Sequence, residues 1–355
     1  SIAAPSITVA PGKTQTVTPA ADWLAPLLWT PGTPNLYRAT AELRQDNAAA
    51  DRLTTTFGFR EFTAKGRDFL LNGRRQVLLR TSWLIGGASD RRELALRMVR
   101  DETSRYNCIR QHLGFINPHV IAQADASGMM IIPEFWGFYQ NSNKPFPISQ
   151  ADAWAPNTVE TMQRLVKRYR NHPSVIMWSI TNETFWNSET PEHMAVAERL
   201  IAGIKAVDPT RLLQADAGVS YGGRLPTINI HYPEGSGDIS KGEPDTVGRL
   251  YDNSGWVVPN DFAWLKKEGV SRAWRSSFTW DRPLMIGEFY ARDGDEPERY
   301  TPYAGDASYD HTAWRWQDFG GRDALSTRNN PWIDMVKMSC DHYRAAGVAC
   351  LNPWT

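Results

Sequence analysis

Short apolar runs of strand length recur throughout residues 63–355, and stretches with helical spacing of apolar residues separate most of them. Eight such runs can be counted, at residues 76–80, 107–113, 129–135, 174–183, 211–217, 226–234, 283–289 and 348–355. Continuous apolar character is typical of parallel strands that helices cover on one side. Strand and helix alternating eight times predicts an α/β fold, a (β/α)8 TIM barrel over residues 63–355.

Residues 1–62 instead alternate apolar and polar positions and carry few helical signals. Strands are predicted at residues 14–20, 37–43 and 54–62, and a segment rich in Pro and Gly connects the first two. Three or four strands are too few for a complete β-sandwich. We therefore expect residues 1–62 to be an incomplete domain, or a segment that leans on the barrel.

Two features interrupt the alternation. The stretch between the sixth and seventh predicted strands is longer than one helix requires, so we predict an insertion around residues 233–282 on the catalytic face. This insertion is rich in tryptophan. The sequence also stops at the eighth strand, before a last helix, and we expect it to be one piece of a longer protein with further domains.

Composition narrows the class of partner. Lys plus Arg and Asp plus Glu are both 39, so the net charge is zero and neither nucleic acid nor an anionic membrane surface is favoured. A neutral substrate is expected. No apolar run is long enough to span a bilayer. The sequence does not determine the compartment, although a secreted or periplasmic bacterial location is slightly favoured. A homo-oligomer is compatible with the sequence.

The cysteines and histidines show no metal-site pattern. Cys108, Cys340 and Cys350 have neither a disulfide framework nor zinc-site spacing, and the first and last fall in apolar runs that predict buried free thiols. His112 and His119 are seven residues apart without a partner motif. We therefore expect no metal ion and no other cofactor.

Two glutamates follow buried strands at positions that a barrel brings together. Glu183 ends the fourth predicted strand and Glu288 the seventh. In TIM barrels the chemistry lies at the C-terminal ends of the strands, so both carboxylates should face one cleft. Paired carboxylates are what glycoside hydrolysis requires, and at retaining distance Glu288 would be the nucleophile and Glu183 the acid/base.

Other residues at the same strand ends are candidates for substrate binding. Arg110 would keep Glu288 ionised, and Asn182 would hydrogen-bond the sugar hydroxyl beside the reacting centre. Aromatic rings there would stack on the sugar. Glu134 is a further candidate, whereas Asp216 is interpreted as structural. The remaining predicted substrate-binding residues are His112, Trp136, His231, Tyr232, Trp354 and Trp83.

The ordered set of motifs resembles glycoside hydrolase family 2, the β-galactosidase, β-glucuronidase and β-mannosidase group. LWTPGTPNLY and FGFRE resemble the end of that family's immunoglobulin-like sandwich, and FLLNGRRQVLLR resembles the start of its barrel. NCIRQH, SITNE and IGEF resemble its arginine, acid/base and nucleophile strands. The resemblance implies an incomplete immunoglobulin-like β-sandwich before the barrel. It also implies an exo-acting, retaining β-glycosidase, with Arg110, Asn182 and Trp354 around the sugar.

The first barrel strand departs from the family pattern. RTSWLIG stands where galactosidases and glucuronidases usually carry Arg-Gly-x-Asn-x-His, and Trp83 resembles the tryptophan of mannosidase-like members. No Asn-x-Lys pair of the kind that binds a uronate carboxylate is present. The expected substrate is therefore an oligo- or polysaccharide with a terminal neutral β-linked sugar, cleaved in a β-galactosidase-like or β-mannosidase-like way.

Two alternatives remain beside this interpretation, and a third is rejected. The tryptophan-rich insertion could build the extra subsites of an endo-acting polysaccharide hydrolase. A carbohydrate-binding protein that has lost catalysis is a second alternative, although a pure binder has no need for a costly pair of buried carboxylates. A metal hydrolase lacks clustered ligands in the sequence.

Overall fold

A computed structural model gives the fold. It describes residues 2, 5–46, 48–84, 96, 99–103, 105–112, 117–135, 147–184, 190–217, 220–231, 281–289, 340, 343–344 and 347–353. The tryptophan-rich insertion predicted at residues 233–282 lies outside this part of the chain, apart from residues 281–282.

The N-terminal part forms one antiparallel hairpin. Strand β1 (Tyr37–Gln45) pairs with β2 (Ala48–Phe57), and almost every residue of both strands is exposed. The strand predicted at residues 14–20 was wrong, since these residues form no strand. Val17 is the only large apolar residue there and Pro19 has no N–H to donate, so the alternation offers little to bury or to pair.

A second antiparallel sheet joins the hairpin to the barrel. It consists of β3 (Phe62–Lys65), β4 (Asp68–Leu71) and β5 (Arg74–Gln76). The predicted turn at Asn72-Gly73 is confirmed, because both residues have positive φ, 52° and 76°, as a two-residue type I′ turn requires.

Eight parallel strands follow, and the prediction of a TIM barrel is confirmed. They are β6 (Leu78–Leu84), β7 (Cys108–His112), β8 (Met130–Pro133), β9 (Met177–Asn182), β10 (Leu212–Asp216), β11 (Ile228–His231), β12 (Leu284–Phe289) and β13 (Cys350–Pro353).

The strands follow one another around the barrel in chain order. One sheet runs β11-β12-β13-β6-β7-β8, so the last strand pairs with the first, and another joins β9 to β10. Parallel bridges Ile131↔Val175 and Glu134↔Ser179 connect β8 to β9. The Asn229 side chain accepts a hydrogen bond from Ala217 N at 3.2 Å, which links β11 to the end of β10.

Three α-helices are complete within the described residues: α1 (Pro118–Ser127), α2 (Ala151–Tyr169) and α3 (Pro191–Lys205). Asn117 and Thr190 cap α1 and α3 with side-chain oxygens, and these two helices begin with Pro118 and Pro191. The sequence predicts α2 only from residue 157, but it begins earlier and contains Pro156. None of the described helices is long and apolar enough to cross a bilayer.

Two apolar cores hold the described elements together. The outer core lies between the strands and the helices and includes Trp178 and Val166. The other core joins inner barrel residues such as Met177 and Cys350 to Trp29 and Phe62 from the N-terminal segment. Polar side chains replace apolar ones at the C-terminal ends of the strands.

Candidate active site

The C-terminal ends of the barrel strands carry a cluster of ionisable and amide side chains. Each lies in a barrel strand or directly after one, and all but Glu183 are buried. Burying charge is costly unless it is paired, so the pairing explains how the cluster is tolerated. The cluster consists of Arg80, Arg110, His112, Glu134, Asn182, Glu183, Asp216, His231 and Glu288.

Arg110, on β7, lies at the centre of the cluster. Its Nη1 donates to Glu288 Oε1 at 2.7 Å, and its Nε lies 2.9 Å from Glu134 Oε2 and 3.1 Å from Asp216 Oδ2. Its Nη2 donates to Asn182 Oδ1. Burial alone would lower the pKa of Arg110, but the three carboxylates raise it. The planar guanidinium thus connects side chains from four other strands or strand ends.

Glu134, directly after β8, binds two further side chains. Its Oε1 lies 2.8 Å from His112 Nδ1, and its Oε2 accepts a hydrogen bond from Ser179 Oγ at 3.0 Å. His112 therefore belongs to the network as a partner of a carboxylate.

Asp216, at the end of β10, pairs with a second buried arginine. Arg80 Nη2 donates to its Oδ1 at 2.9 Å and Nη1 to its Oδ2 at 3.3 Å. Gln214 Nε2 and Asn229 Nδ2 also donate to it, at 2.6 and 3.0 Å. Burial would raise the pKa of Asp216, but Arg110 and Arg80 hold it well below its usual value. This carboxylate is therefore ionised.

His231 lies between the two glutamates. Its Nδ1 is 3.0 Å from Glu183 Oε1 and 3.4 Å from Glu288 Oε2, while its Nε2 is 3.3 Å from Asp216 Oδ1. One donor or acceptor atom each of Glu183, His231 and Glu288 lies within 4.8 Å of the others. One imidazole thus contacts three carboxylates.

This setting keeps His231 protonated. Burial by itself lowers the pKa of His231, but the charge of Glu288 and the hydrogen bonds to Asp216 and Glu183 raise it to about 9. The three atoms within 4.8 Å are close enough to surround a cation. An imidazolium has no lone pair, so a cation bound there would have to displace the proton of His231.

The backbone turns sharply where β9 ends. Glu183 has φ of 47°, in the left-handed region that non-glycine residues rarely adopt, at a cost on the order of 1 kcal/mol. Its N–H donates to Asp216 O at 2.8 Å, which holds the turn. The turn directs the Glu183 carboxylate toward His231.

The structure brings seven of the predicted candidate residues together at this edge, namely Arg110, His112, Glu134, Asn182, Glu183, His231 and Glu288. Trp136, Tyr232 and Trp354 lie outside the described residues, as does the side chain of Trp83, whose backbone belongs to β6. Sequence reasoning assigns Arg80 no role and interprets Asp216 as structural, yet both lie in the cluster. Both residues lie in the C-terminal half of predicted strands, and this position could have identified them as site residues.

Two family models match the chain. One described as "Glycosyl hydrolases family 2, TIM barrel domain" matches residues 109–236, and one described as "Glycosyl hydrolases family 2" matches residues 2–60. Together they cover more than half of the 355 residues. The chain belongs to glycoside hydrolase family 2. The resemblance found in the sequence motifs is thereby confirmed, as is a family 2 sandwich domain before the barrel.

Known proteins show how much of a family 2 protein this chain represents. A Formosa agariphila protein named "Putative beta-glucuronidase" is 32% identical over 200 residues, which are 54% of this chain and 18% of that protein. The chain therefore spans less than a fifth of the length of this curated relative.

Two solved glycosidase structures share the fold. A GH2 beta-galacturonidase from Eisenbergiella tayi bound to galacturonate has a TM-score of 0.61 at 19% identity, over 97% of this chain and 55% of that one. A Bacteroides uniformis beta-glucuronidase has a TM-score of 0.57 at 21% identity, over 79% of this chain and 33% of that one. At these identities the likeness establishes the fold alone.

Proposed function

We propose that this family 2 chain carries the active site of a retaining β-glycosidase, with Glu288 as nucleophile and Glu183 as acid/base. The observation that carries the proposal is the closeness of the two glutamates: one carboxylate oxygen of each lies within 4.8 Å of the other, and both lie against His231 Nδ1. Retaining enzymes hold their carboxyls about 5–5.5 Å apart, whereas inverting enzymes leave about 6.5–9.5 Å for a water molecule. The spacing favours direct attack by a carboxylate.

In the first displacement Glu288 attacks the anomeric carbon while the bond to the leaving oxygen breaks. Glu183 gives its proton to that oxygen, so the aglycone departs as a neutral alcohol and the sugar is held as an ester of Glu288. Arg110, whose Nη1 lies 2.7 Å from Glu288 Oε1, favours the ionised form of the nucleophile and orients it.

In the second displacement water attacks the same carbon. Glu183, now ionised, takes a proton from the water, and the bond between the sugar and Glu288 breaks with retention of the anomeric configuration. The protonated His231, in contact with both glutamates, stabilises whichever of them carries the negative charge at each stage. Asn182, oriented by Arg110 through its oxygen, has its amide nitrogen left to donate to a sugar hydroxyl.

A neutral sugar suits the charges of the described site. The two arginines in the cluster are already paired, Arg80 with Asp216 and Arg110 with three carboxylates. A uronate carboxylate would therefore meet carboxylates without a spare arginine among the described residues. We accordingly keep a terminal β-linked neutral hexose, galactose or mannose, as the proposed substrate.

A β-linked uronic acid is the second candidate. It is supported by the names of the relatives, a beta-glucuronidase at 32% identity and a beta-galacturonidase and beta-glucuronidase among the solved structures. A cation for the uronate would have to come from residues outside the described part of the chain.

The test is a screen with 4-nitrophenyl β-glycosides of galactose, mannose, glucose, glucuronic acid and galacturonic acid. We expect hydrolysis of one of them with the β-anomer as first product, followed by proton NMR. Glu288→Ala should be inactive until azide is added and should then form the α-glycosyl azide. Glu183→Ala with azide should form the β-glycosyl azide, because the nucleophile still acts first.

The matched control is Glu160→Ala, which removes an exposed glutamate that pairs with Arg164 on α2 and should leave the rates unchanged. An α-anomer as first product would exclude the retaining mechanism. Cleavage of oligosaccharides but of no aryl glycoside would indicate an endo-acting enzyme instead.

A further inference from the structure

The carboxylate of Asp216 contacts side chains from several barrel strands, among them His231 and Arg110 of the proposed active site. Its Oδ1 accepts from Arg80 Nη2, from Asn229 Nδ2 and from His231 Nε2. Its Oδ2 accepts from Gln214 Nε2 at 2.6 Å and lies 3.1 Å from Arg110 Nε. It is fully buried, so these contacts are not screened by solvent.

One set of contacts leads to the proposed nucleophile. Arg110 places Nε against Asp216 and Nη1 against Glu288, and both nitrogens belong to one rigid guanidinium plane. The position of the Asp216 carboxylate therefore limits how Arg110 can be oriented. That orientation in turn fixes the oxygen of Glu288 that Arg110 binds.

Two separate contacts lead to the proposed acid/base. The backbone carbonyl of Asp216 accepts the N–H of Glu183 at 2.8 Å, where φ of Glu183 is 47°. The side chain of Asp216 accepts from His231 Nε2, and the opposite ring nitrogen lies 3.0 Å from Glu183 Oε1. A histidine held at both nitrogens by carboxylates keeps a single ring orientation.

We propose that Asp216 is a positioning residue that holds the nucleophile through Arg110 and the acid/base through His231, so that both glutamates keep the geometry for double displacement. The proposal rests on the proposed function, because it gives Asp216 its role in that reaction. The carboxylate of Asp216 acts through the side chains of Arg110 and His231. Its negative charge is essential, since it faces Arg80, Arg110 and His231 at once.

The Asp216→Asn variant keeps the size of the side chain and removes its charge. An amide has one acceptor oxygen, whereas donors approach both oxygens of Asp216, so one group of donors must face the new N–H₂. His231 and Arg110 should both become less well held. The matched control is Asp208→Asn, another buried aspartate paired with an arginine, Arg211, and located before β10.

The decisive readout is the dependence of kcat/KM on the leaving group. The substrates are the 2,4-dinitrophenyl and 4-methoxyphenyl β-glycosides of whichever sugar the screen identifies. Only the 4-methoxyphenyl compound needs a proton from Glu183. Since a positioned acid contributes about 10²- to 10⁴-fold, we expect Asp216→Asn to lose ~100-fold or more in kcat/KM on the 4-methoxyphenyl glycoside. The dinitrophenyl glycoside reports only the less well held nucleophile, and its loss should be smaller, about 10-fold or less. Equal losses on both substrates would overturn the proposal.

Asp208→Asn should lower the thermal stability without changing the ratio of kcat/KM on the two aryl glycosides. If Asp216→Asn does not fold, Gln214→Met carries the same test, because it removes the 2.6 Å hydrogen bond to Asp216 Oδ2 and keeps every charge. For this milder variant we expect a smaller extra loss on the 4-methoxyphenyl substrate, about threefold or more, beyond any loss that both substrates share through Arg110. An unchanged ratio in a folded Gln214→Met would count against the proposal.

A second measurement does not need activity and so separates this inference from the proposed function. The chain contains 7 histidines, and the ¹⁵N spectrum of His231 can be assigned with His231→Gln. The charged groups that face His231 and Asp216 are Glu183, Glu288, Arg80 and Arg110, with the thiol of Cys350 nearby.

Asp216→Asn removes one of these charges, and we expect the pKa of His231 to fall by about one unit or more. An unchanged pKa of His231 in Asp216→Asn would show that Asp216 does not hold His231. This conclusion does not depend on which substrate the chain hydrolyses. A native chain that cleaves no glycoside, combined with the expected fall, would contradict the proposed function alone.

Discussion

Gly287 is a position in the site that has no room for a side chain. It precedes Glu288 in β12, and its carbonyl accepts hydrogen bonds from Arg80 Nη2 and Asn352 Nδ2, both at 2.6 Å. A Cβ at this position would overlap Asn229 Oδ1 and Asp216 Oδ1 and would lie 2.7 Å from His231 Cδ2. No side chain can be added here unless the network moves.

We therefore expect Gly287→Ala to reduce glycosidase activity by about 100-fold or more and to lower the free energy of unfolding by about 1–3 kcal/mol. Urea denaturation and kcat/KM on the screened aryl glycoside measure the two effects. Gly32→Ala is the control, since a Cβ there meets nothing within 4 Å and should change neither quantity. Full activity of Gly287→Ala would show that the described packing around Asp216 is wrong.

His231 should make stability depend on pH. Its pKa is raised from 6.5 to about 9 on folding, so protonation of His231 contributes stability that is complete below pH 6.5 and is lost as pH rises through 9. One pKa unit corresponds to about 1.4 kcal/mol, so the loss should amount to a few kcal/mol. We expect urea denaturation between about pH 6 and about pH 9.5 to show this decline.

His231→Gln supplies the comparison, because glutamine does not titrate. The buried thiol of Cys350, whose pKa burial raises to about 12, adds a decline above pH 9 in both proteins, so the difference between the two curves isolates His231. Parallel curves for the native chain and His231→Gln would contradict the protonated state of His231.

At the scale of elements, the sequence predicts the barrel strands well for a physical reason. Parallel strands buried on both faces must be apolar throughout, so runs such as SVIMWSI are visible without any partner. The strand predicted at residues 14–20 failed because alternation alone does not supply a neighbouring strand or a core to pack on. The start of α2 was missed because Pro156 suggests a break that the helix in fact accommodates.

Trp29 shows how the N-terminal segment is attached to the barrel. It is 0% exposed, and its Nε1 donates to Asp125 O in α1 at 2.8 Å. We expect Trp29→Ala to lower the free energy of unfolding by about 3–5 kcal/mol in urea denaturation. Trp23→Ala, which removes a ring that is 51% exposed, should cost about 1 kcal/mol or less. Equal costs would mean that the segment is not anchored through Trp29.

At the scale of the whole molecule, the sequence identifies the two glutamates but not the network that holds them. Each glutamate ends a visible apolar run, whereas the partners of Asp216 come from β6, β7 and β11, whose mutual distances no single stretch of sequence contains. Charge pairing between distant strands follows from barrel closure. The same closure explains why a buried arginine such as Arg80 cannot be recognised from its neighbours along the chain.

The N-terminal segment should be required for a soluble barrel. Trp29 and Phe62 pack in one core with Met177 and Cys350, so a chain that begins at residue 65 leaves this apolar surface uncovered. We expect that chain to be largely insoluble or aggregated in size-exclusion chromatography. A chain that begins at residue 21 loses a segment whose described residues, 2 and 5–20, are mostly exposed and form no strand. Its free energy of unfolding should change by less than about 1 kcal/mol. If the chain that begins at residue 65 were soluble and monomeric, the barrel would not depend on the segment that Trp29 anchors.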